Sequence, residues 1–531
     1  MIDCLHRSVL NRIVANVNLA SSGSHWCRVH RTVRSSLYAM LPAKFAHTIA
    51  DEDLPHSPYE AAILHLNSLQ SNAENIQKIR EKRGLLQETN IPDMVLKLRK
   101  CGIELDALDR LNVIHVSGTK GKGSTCAFVE SILRHLGFRT GLYTSPHLVH
   151  ARERIRINGK PISETLFAKH FFTVYNKLKQ KTDEGDMPPY FKFLTLLSFH
   201  VFIEECVDVA IVEVGIGGEY DATNVVQHPT VCGITTLDID HTSILGTTLT
   251  EIAWHKAGIL KKGCPAIVTP LCEQPLKVVT DRAEERGALL SIAPLYQYYT
   301  FEGGAVSAGI AGDHQKVNVS LALQLARAWL KQTQREAEVF PDSSEDNWEM
   351  GSSYFVPKSM AEAIESCHWP GRSQIVLKDR IKYYLDGAHT PKSMEVCSKW
   401  FGDAVNKSSQ KKRVMVFQCT ADRKPSSLLP HLSRHAFDFA LFCPTALSVS
   451  PDIKSDLTNF NASAFEQRKR SHLCASTWKE IGTGEVHVFD CISSTVDWIK
   501  KLSETEELDV LVTGSLHLVG GVLSIIEPSI D

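Results

Sequence analysis

The amino-acid sequence predicts an α/β protein of two domains, a larger N-terminal one built on a mostly parallel sheet and a smaller C-terminal one. The first observation is length, because 531 residues exceed the size at which a single hydrophobic core keeps growing. The second is that short β-branched runs alternate with longer amphipathic segments, which is typical of βαβ units. The third is that this alternation stops over residues 332–358 and then begins again.

Composition narrows the class of protein before any motif is considered. Hydrophobic residues at 43% and charged residues at 22% are ordinary values for a soluble globular enzyme. A formal net charge of -2 supplies no field that would attract nucleic acid or an anionic membrane, so we expect neither as a partner. No apolar stretch reaches about 18 residues, so no integral membrane segment is predicted. The 14 cysteines include no C-x-x-C pair, which favours reduced thiols inside a cell.

Residues 1–45 have the composition of a mitochondrial transit segment. The first fifty residues contain one acid, Asp3, together with many serines and several arginines, a balance that transit peptides show. A disordered basic tail is the alternative interpretation. Initiation at Met40 would give a leaderless form. We therefore expect a mitochondrial form, in the matrix or associated with the inner membrane, and a cytoplasmic form.

From Ser57 the pattern becomes that of a folded domain, which we expect to span residues 58–365. Apolar residues three or four apart predict a helix at its start, and the short apolar runs that follow predict buried strands. These strands are predicted at 111–116, 207–214, 231–237 and 266–268. Residues 332–358 are rich in acids and serine and lack periodicity, so we interpret them as a surface insertion.

A second series of strands predicts a Rossmann-like C-terminal domain over residues 368–531. Its strands are predicted at 381–385, 414–418, 437–442, 486–489 and 510–513. A polar stretch over 448–476 is interpreted as another insertion. Two domains of this kind would leave between them a cleft that can close on a ligand.

The most informative segment is a phosphate-binding loop within residues 111–125, LNVIHVSGTKGKGST. Glycines let successive backbone N–H groups converge on phosphate oxygens, the following helix adds the positive end of its dipole, and Lys122 adds a charge. Either Ser124 or Thr125 is placed to meet a magnesium ion. The spelling departs from G-x-x-x-x-G-K-[ST], because Gly123 separates the lysine from the serine.

Two further polar groups are predicted at the ends of neighbouring strands. Glu213 lies in an apolar run near its carboxyl end, where a carboxylate requires a metal or a lysine as partner. His241 follows another apolar run, which ends in acids. Because open α/β sheets bind ligands outside the carboxyl ends of their strands, these groups and the phosphate loop predict one magnesium–nucleotide site. A structural salt bridge at Glu213 is the alternative.

Three further polar positions are candidates for the site because of where they lie in the chain. Lys256 follows in a helical pattern, where a lysine is ordinarily a surface residue. Arg372 begins the second domain and could reach across the cleft to a nucleotide phosphate, with an ordinary surface arginine as the alternative. The run that ends in Asp386-Gly-Ala-His389 again turns from apolar to polar residues.

Taken together, these motifs resemble the Mur-ligase superfamily, and their wording is closest to the eukaryotic folylpolyglutamate synthases. The resemblance covers roughly residue 58 to the C-terminus. The motifs that carry it are GTKGKGS at 118–124, TSPHL at 144–148, RER at 152–154, EVGIGG at 213–218, DATN at 221–224, His241, KAGI at 256–259, GR at 371–372 and DGAH at 386–389. It implies a Mur-ligase-like architecture in which a P-loop ATPase domain precedes a Rossmann-like domain.

The resemblance also implies roles for individual residues. Those around the ATP phosphates are Gly121, Lys122, Gly123 and Ser124, with Arg372 and Asp386 from the second domain. The implied ligands of Mg²⁺ are Ser145, Glu213 and His241, and a monovalent cation such as K⁺ is considered as a further cofactor. Lys256 is implied to carry a carbamate that binds a second metal. His389 is implied to face the cleft and is the candidate base for the glutamate amine.

The implied activity is that of an ATP-dependent ligase that joins an acid to an amino acid. The terminal carboxylate of a folate attacks the γ-phosphate of ATP, giving an acyl phosphate and ADP, and the amine of L-glutamate then displaces phosphate. Folate, folylpolyglutamates and L-glutamate are therefore the expected partners of a chain that we expect to be a monomer. The alternatives are a dihydrofolate synthase or a bifunctional enzyme, another ATPase on a parallel-sheet fold, and a non-catalytic nucleotide-binding protein.

Overall fold

The computed structural model describes residues 55–70, 83–181, 186–340, 348–405, 411–419, 423–449, 454–458 and 463–528. The predicted transit segment and Met40 lie outside the described residues. The predicted α/β class is confirmed, because helices alternate with strands that form two large sheets. None of the helices in these ranges combines the length and the hydrophobicity needed to cross a membrane.

The first sheet has eight strands and places the phosphate loop at its centre. Its strands are β1 (Ile114–Ser117), β2 (Thr140–Tyr143), β3 (Ile155–Ile157), β4 (Lys160–Pro161), β5 (Val209–Glu213), β6 (Val231–Ile234), β7 (Pro265–Val268) and β8 (Leu289–Ile292). Their spatial order is β4-β3-β2-β5-β1-β6-β7-β8. The two pairings that involve β3 are antiparallel and the others are parallel. Because β1 lies between β5 and β6, the loops that follow these three strands share one edge of the sheet.

Helices cover both faces of this sheet. They are α1 (Pro58–Ser68), α2 (Arg83–Lys100), α3 (Leu105–Asp109), α4 (Lys122–His135), α5 (Glu164–Lys181), α6 (Tyr190–Glu204), α7 (Thr242–Leu245), α8 (Leu249–Lys256), α9 (Glu273–Arg286), α10 (Gln315–Gln332), α11 (Glu336–Val339) and α12 (Lys358–Glu365). In β5, Val209 and Ile211 enter a core with α4 and α10, whereas Ala210 and Val212 enter another with α1, α5 and α6. Burial on both faces explains why the strand is a continuous apolar run.

The first helix forms where its sequence predicts it. Ser57 caps α1, since its hydroxyl accepts a hydrogen bond from the backbone N–H of Glu60, and Pro58 occupies the first turn. Both features favour the start of a helix. The serine oxygen satisfies a backbone N–H that would otherwise be unpaired, and proline has no N–H that would need a partner in the first turn. The predicted helix from residue 58 is therefore confirmed.

The expected surface insertion over 332–358 is corrected by the structure in its second half. β10 (Phe355–Val356) pairs in parallel with β9 (Thr300–Phe301). Trp348 and Tyr354 are buried, and their rings lie 4.8 and 4.5 Å from the guanidinium of the buried Arg327 on α10. These aromatic residues pack on a buried cation. Such packing requires no regular spacing of apolar residues, so the sequence shows no periodic pattern there. Residues 341–347 lie outside the described ranges.

The second sheet has six strands in the order β11-β12-β16-β13-β14-β15. These are β11 (Gln374–Lys378), β12 (Ile381–Leu385), β13 (Lys412–Phe417), β14 (Phe439–Phe442), β15 (Glu485–Val488) and β16 (Leu508–Thr513). Its helices are α13 (Pro391–Ala404), α14 (Pro425–Leu428), α15 (Ala464–Ile481), α16 (Ile492–Ser503) and α17 (Leu516–Ile526). β11 pairs antiparallel with β12, and the remaining pairs are parallel.

The polar insertion expected over 448–476 is also corrected. Its second half belongs to α15, which Ser463 caps. The buried residues of this helix are Ser471, Cys474, Ala475 and Trp478. Their spacing is that of one narrow helical face, and the other faces are so polar that the average composition hides an amphipathic helix.

Candidate active site

The phosphate loop joins β1 to α4 and depends on glycine at two positions. Gly121 has a φ of 89°, and a Cβ there would lie 2.2 Å from Oδ1 of Asn318. A Cβ on Gly118 would lie 1.8 Å from Oγ1 of Thr235. Within the described ranges, no side chain caps the N-terminus of α4. The first N–H groups of this helix are therefore free to bind an anion, in line with the predicted role of the loop.

Glu213, the last residue of β5, lies directly beside this loop and is 4% exposed. Its Oε2 accepts a hydrogen bond from the backbone N–H of Ser145 at 2.9 Å, and its Oε1 lies 4.0 Å from Nζ of Lys122. Burial raises the pKa of Glu213, although Lys122 and the Ser145 N–H act to lower it. The structure thus brings together the predicted residues Lys122, Ser145 and Glu213 at the shared strand edge.

His241 is not joined to this group. It precedes α7 with a φ of 52°, and its backbone N–H donates to Oδ1 of Asp240 at 2.9 Å. Its side chain is exposed. Among the described residues it makes no hydrogen bond to Glu213 or Ser145, and its role as a metal ligand stays a prediction.

Lys256 is buried at the site rather than on the surface of a helix. It ends α8, is 3% exposed, and donates from Nζ to the carbonyl oxygen of Gly118 at 2.7 Å. Burial lowers its pKa well below the ordinary value, and the nearby Lys122 lowers it further. The local pattern alone would indicate an ordinary helix lysine, whereas the structure has a buried lysine with a lowered pKa in contact with the phosphate loop.

Residues next to strands of the second sheet lie at the same site as Lys122 and Glu213. Arg372 lines a cavity together with Ser145 and Glu213, and its charge acts to lower the pKa of Glu213. Asp386 accepts hydrogen bonds from the backbone N–H groups of Ser373, at 2.8 Å, and Ala388, at 2.9 Å. Its carboxylate therefore ties the segment that carries Arg372 to the segment that carries His389.

Comparison with known proteins decides the family. A family model described as "Dihydrofolate synthetase, C-terminal domain" matches residues 372–525. The chain is 50% identical over 477 residues to a putative folylpolyglutamate synthase of Caenorhabditis elegans, covering 88% of this chain and 92% of that protein. It is 39% identical over 547 residues to the mitochondrial folylpolyglutamate synthase of Homo sapiens, covering 90% and 93%. The chain belongs to the folylpolyglutamate synthase family.

A solved structure agrees with the family in its fold. The structure titled for E. coli FolC in complex with DHPP and ADP is 25% identical, with a TM-score of 0.62, and covers 89% of this chain and 98% of that one. The two-sheet architecture that the resemblance implies is therefore confirmed. So is the prediction, at the level of the family, of an ATP-dependent ligase.

The sequence did not predict a cluster of polar side chains around Asp240 in this member of the folylpolyglutamate synthase family. Asp240 lies 3.0 Å from Nζ of Lys120, 3.5 Å from Nε2 of His389 and 3.6 Å from the guanidinium of Arg423. It thus joins the phosphate loop to two segments of the second sheet. Asp240 and Lys120 stood inside the motifs that signalled the site, whereas nothing in the sequence singled out Arg423.

His389 is held in one tautomer within this cluster. Its Nδ1 lies 2.9 Å from the carbonyl oxygen of Gly387, which can only accept, so Nδ1 carries the proton. In the neutral ring Nε2 then accepts a hydrogen bond from Lys120 at 3.3 Å. Burial lowers the pKa of His389 to about 4, with Lys120 adding to the effect and Asp240 opposing it. An unprotonated nitrogen therefore faces the phosphate loop.

Arginines beside the cavity form a second group that carried no predicted role. Arg154 donates from Nε to Nδ1 of His147 at 3.0 Å, and its guanidinium lies 5.3 Å from the ring centre of Tyr190. Arg156 lies 4.9 Å from the ring centre of Trp369. Arg154 immediately precedes β3 and Arg156 lies within it, and their spacing of two residues was the signal available in the sequence.

The oxygen donors beside the loop fit a magnesium ion. The buried carboxylate of Glu213 and the hydroxyls of Ser124 and Ser145 are hard donors of the kind that Mg²⁺ takes, and Mg²⁺ needs few protein ligands because it keeps several waters. Thr125 adds a buried hydroxyl oxygen without a hydrogen-bond partner in the described residues. No group of three or more His, Cys, Asp or Glu side chains in the described ranges is arranged to hold a metal by itself.

A larger cavity, of about 430 Å³, lies at the opposite end of the first sheet. Its lining includes Asn112, Thr230 and Pro265, which lie at or just before the amino ends of β1, β6 and β7. Ligands of open α/β sheets bind at the carboxyl ends of strands, so this cavity is not part of the candidate active site.

Proposed function

We propose that the chain adds L-glutamate to the γ-carboxylate of folates and folylpolyglutamates, using ATP and releasing ADP and phosphate. The observation that carries the proposal is the cleft in which the phosphate loop and Glu213 face Arg372 and His389 of the second sheet. Relatives named folylpolyglutamate synthase and the ADP complex of E. coli FolC support it. The presence of both sheets in one chain supports action as a monomer.

The first step is phosphoryl transfer from ATP to the substrate carboxylate. The free N–H groups of Gly123 and Ser124, with the loop glycines, bind the phosphates, and Lys122 and Arg372 compensate the charge that develops on the γ-phosphoryl oxygens. Asp386 positions Arg372 through the backbone of the neighbouring Ser373. Mg²⁺, held by Ser145, Glu213 and a reoriented His241, would supply charge neutralisation of the phosphates, and a monovalent cation such as K⁺ would add to it.

The second step is attack of the glutamate amine on the acyl phosphate. Nε2 of His389 is unprotonated at neutral pH and points into the cleft, so it is the group that takes a proton from the glutamate ammonium, and the neutral amine then attacks the acyl phosphate. Asp240 joins Lys120 of the first unit, which is built on the first sheet, to Arg423 of the second unit, which is built on the second sheet. We propose that this contact keeps water away from the reactive acyl phosphate.

Lys256 is proposed to carry a carbamate. Burial lowers the pKa of its amine, which favours the neutral form, and a neutral amine attacks CO₂ at carbon to form a carbamate, releasing one proton. The product is an anionic oxygen donor beside the backbone of Gly118. It would offset the positive charge of Lys122 and provide a ligand for a second metal.

Mitochondrial and cytoplasmic forms are proposed for the chain. The name of the human relative includes the word mitochondrial, and the basic composition of residues 1–45 supports import. A reporter fused to residues 1–45 is expected to enter mitochondria, whereas a protein that starts at Met40 is expected to stay in the cytosol. Import of the Met40 form would contradict the proposal.

The decisive experiment supplies the purified chain with ATP, Mg²⁺, tetrahydrofolate and labelled glutamate, and separates the products by tail length. We expect labelled products longer by one or more glutamates, formed only when all components are present. Dihydropteroate in place of folate tests the dihydrofolate synthase alternative, which the description of the matching family model favours. ATP hydrolysis without folate or glutamate would indicate another ATPase, and no turnover would indicate a binding protein.

A further inference from the structure

Residues 454–458, a short segment of the second unit that we call the strap, lie on the first unit. The side-chain amide of Asn67 donates to the carbonyl oxygen of Ser455 at 3.0 Å, and that of Gln70 donates to the carbonyl oxygen of Thr458 at 2.9 Å. Both partners lie at the C-terminal end of α1. The strap is thus fixed to the first unit at both of its ends.

At the centre of the strap, Asp456 is 13% exposed and has its partners in the first unit. Its Oδ1 accepts hydrogen bonds from the hydroxyl of Tyr59 and from the backbone N–H of Ala151, both at 2.7 Å. Its Oδ2 lies 3.7 Å from Nδ1 of His150, and its carbonyl oxygen accepts from Nε2 of His147 at 3.0 Å. Hydrogen bonds from Tyr59 and Ala151 stabilise the buried carboxylate, and the carboxylate in turn holds these two groups in place.

The segment beneath the strap is the loop that borders the active site. Glu153 closes this loop from inside, since its carboxylate accepts hydrogen bonds from the N–H groups of Leu148 and Val149, both at 2.9 Å. Asp456 closes it from outside through Ala151. The same loop begins with Ser145, whose N–H bonds to Glu213. Two carboxylates, one from each unit, therefore determine the shape of the loop.

A chain of hydrogen bonds continues from the strap to the cavity. The carbonyl oxygen of Asp456 fixes Nε2 of His147 as a donor, so Nδ1 is left to accept from Arg154. The charge of Arg154 in turn acts on Glu213.

We propose that Asp456 is a positioning residue for the ligase reaction. From the second unit it holds the 145–154 loop in the shape that places Ser145 and Arg154 beside Glu213. The strap thereby makes a correct active-site loop dependent on contact between the two units. The catalytic part of this proposal rests on the proposed function, whereas the positioning part stands on the contacts alone.

Hydrogen–deuterium exchange of the full chain tests the positioning part without any assay of activity. Asp456→Ala removes the acceptor of the Ala151 N–H, so exchange of peptides within 145–154 is expected to rise about tenfold. Asp456→Asn keeps one acceptor oxygen and is expected to give a smaller rise. The matched control is Asp497→Asn, an exposed carboxyl of the same unit, which is expected to change nothing. Peptides of β5 serve as the internal reference.

Kinetics test the catalytic part. Asp456→Ala is expected to lower kcat about tenfold while the KM for ATP stays within about twofold, because the phosphate loop is untouched, and Asp456→Asn is expected to recover most of the loss. Unchanged exchange in the 145–154 loop, or an equal rise in β5, would overturn the proposal. Altered exchange with normal kcat would overturn its catalytic part. A wild-type chain that adds no glutamate would instead refute the proposed function and leave the exchange result standing.

Discussion

Glu213 and Lys256 are almost withdrawn from water, at 4% and 3% exposure, although both carry groups that ionise. Burial disfavours the charged form of each, so the pKa of the acid is raised and that of the lysine is lowered. Perturbed groups of this kind concentrate at functional sites. Here each is within reach of the phosphate loop, through Lys122 in one case and Gly118 in the other.

Substitution of the charged residues at the loop tests their roles. Lys122→Ala and Glu213→Gln are each expected to lower kcat by about 10²–10³-fold, because each removes charge stabilisation that is preorganised around the transferred phosphoryl group. Circular dichroism should show a folded protein. The exposed Lys160→Ala is the matched control and is expected to keep full turnover. Near-normal turnover of either variant would remove that residue from the site. His241→Ala is also expected to lower kcat, and near-normal turnover would remove His241 as well.

The carbamate on Lys256 can be observed directly. With ¹³C-bicarbonate, the wild-type chain is expected to give a carbamate carbon signal that disappears as the pH falls and the amine becomes protonated. The signal should be absent from Lys256→Ala. Lys261→Ala is the matched control and should keep the signal. Burial also lowers the pKa of Lys261, but this lysine lies beside the cavity at the other end of the sheet. A signal that survives in Lys256→Ala would contradict the assignment.

At the scale of elements, the phosphate loop works because β1, α4 and α10 meet around it. Gly121 turns the chain into α4 with a positive φ and lies against Asn318 of α10. A side chain at this position would both strain the backbone and push the loop away from α10. The geometry of the loop is thus set jointly by its own glycines and by a helix that is distant in sequence.

Two alanine substitutions separate these effects. Gly121→Ala and Gly137→Ala both replace a glycine at a φ near 90°, but nothing lies within 4 Å of a Cβ on Gly137. Both are expected to destabilise the fold by roughly 1–2 kcal/mol through backbone strain, with a further loss for Gly121→Ala. ATP binding, measured by calorimetry, should be lost in Gly121→Ala and normal in Gly137→Ala. Equal affinity in the two variants would show that the loop tolerates displacement.

At the scale of the whole molecule, Asp240 links the two units through Lys120, Arg423 and His389. Burial acts to raise the pKa of Asp240, but the positive charge of Lys120, whose Nζ lies 3.0 Å away, outweighs burial, so the pKa is lowered. A carboxyl with a lowered pKa stabilises the folded state above its unfolded pKa and loses that contribution as the pH falls. The link between the units is therefore intact at neutral pH.

Asp240→Asn is expected to loosen this link. The free energy of unfolding should fall by roughly 1–3 kcal/mol at pH 7, and the difference from wild type should shrink as the pH falls below about 4. Small-angle scattering should show a larger radius of gyration. Asp238→Asn, two residues away, is the matched control. A pH-independent difference, or an unchanged radius, would indicate that Asp240 does not hold the units together.

Much of this architecture could be predicted from the sequence. All nine predicted strands are present, eight of them with shifted ends and β12 with the predicted bounds, because buried parallel strands are apolar on both faces and so leave a continuous signal. Strands with exposed or short sequences, such as β4, β9 and β11, gave no such signal. Helix α15 was missed because its buried face is narrow, and Trp348 because it covers a single arginine.

The sequence by itself determined that a glycine-rich loop joins a strand to a helix, that Glu213 lies at a strand end, and that two α/β units follow one another. These are local properties of neighbouring residues. Only the tertiary structure decided that Lys256 is buried against Gly118, that Asp240 joins both units, and that Asp456 holds the active-site loop. Such contacts join residues far apart in the chain, and their energies depend on burial that no local pattern encodes.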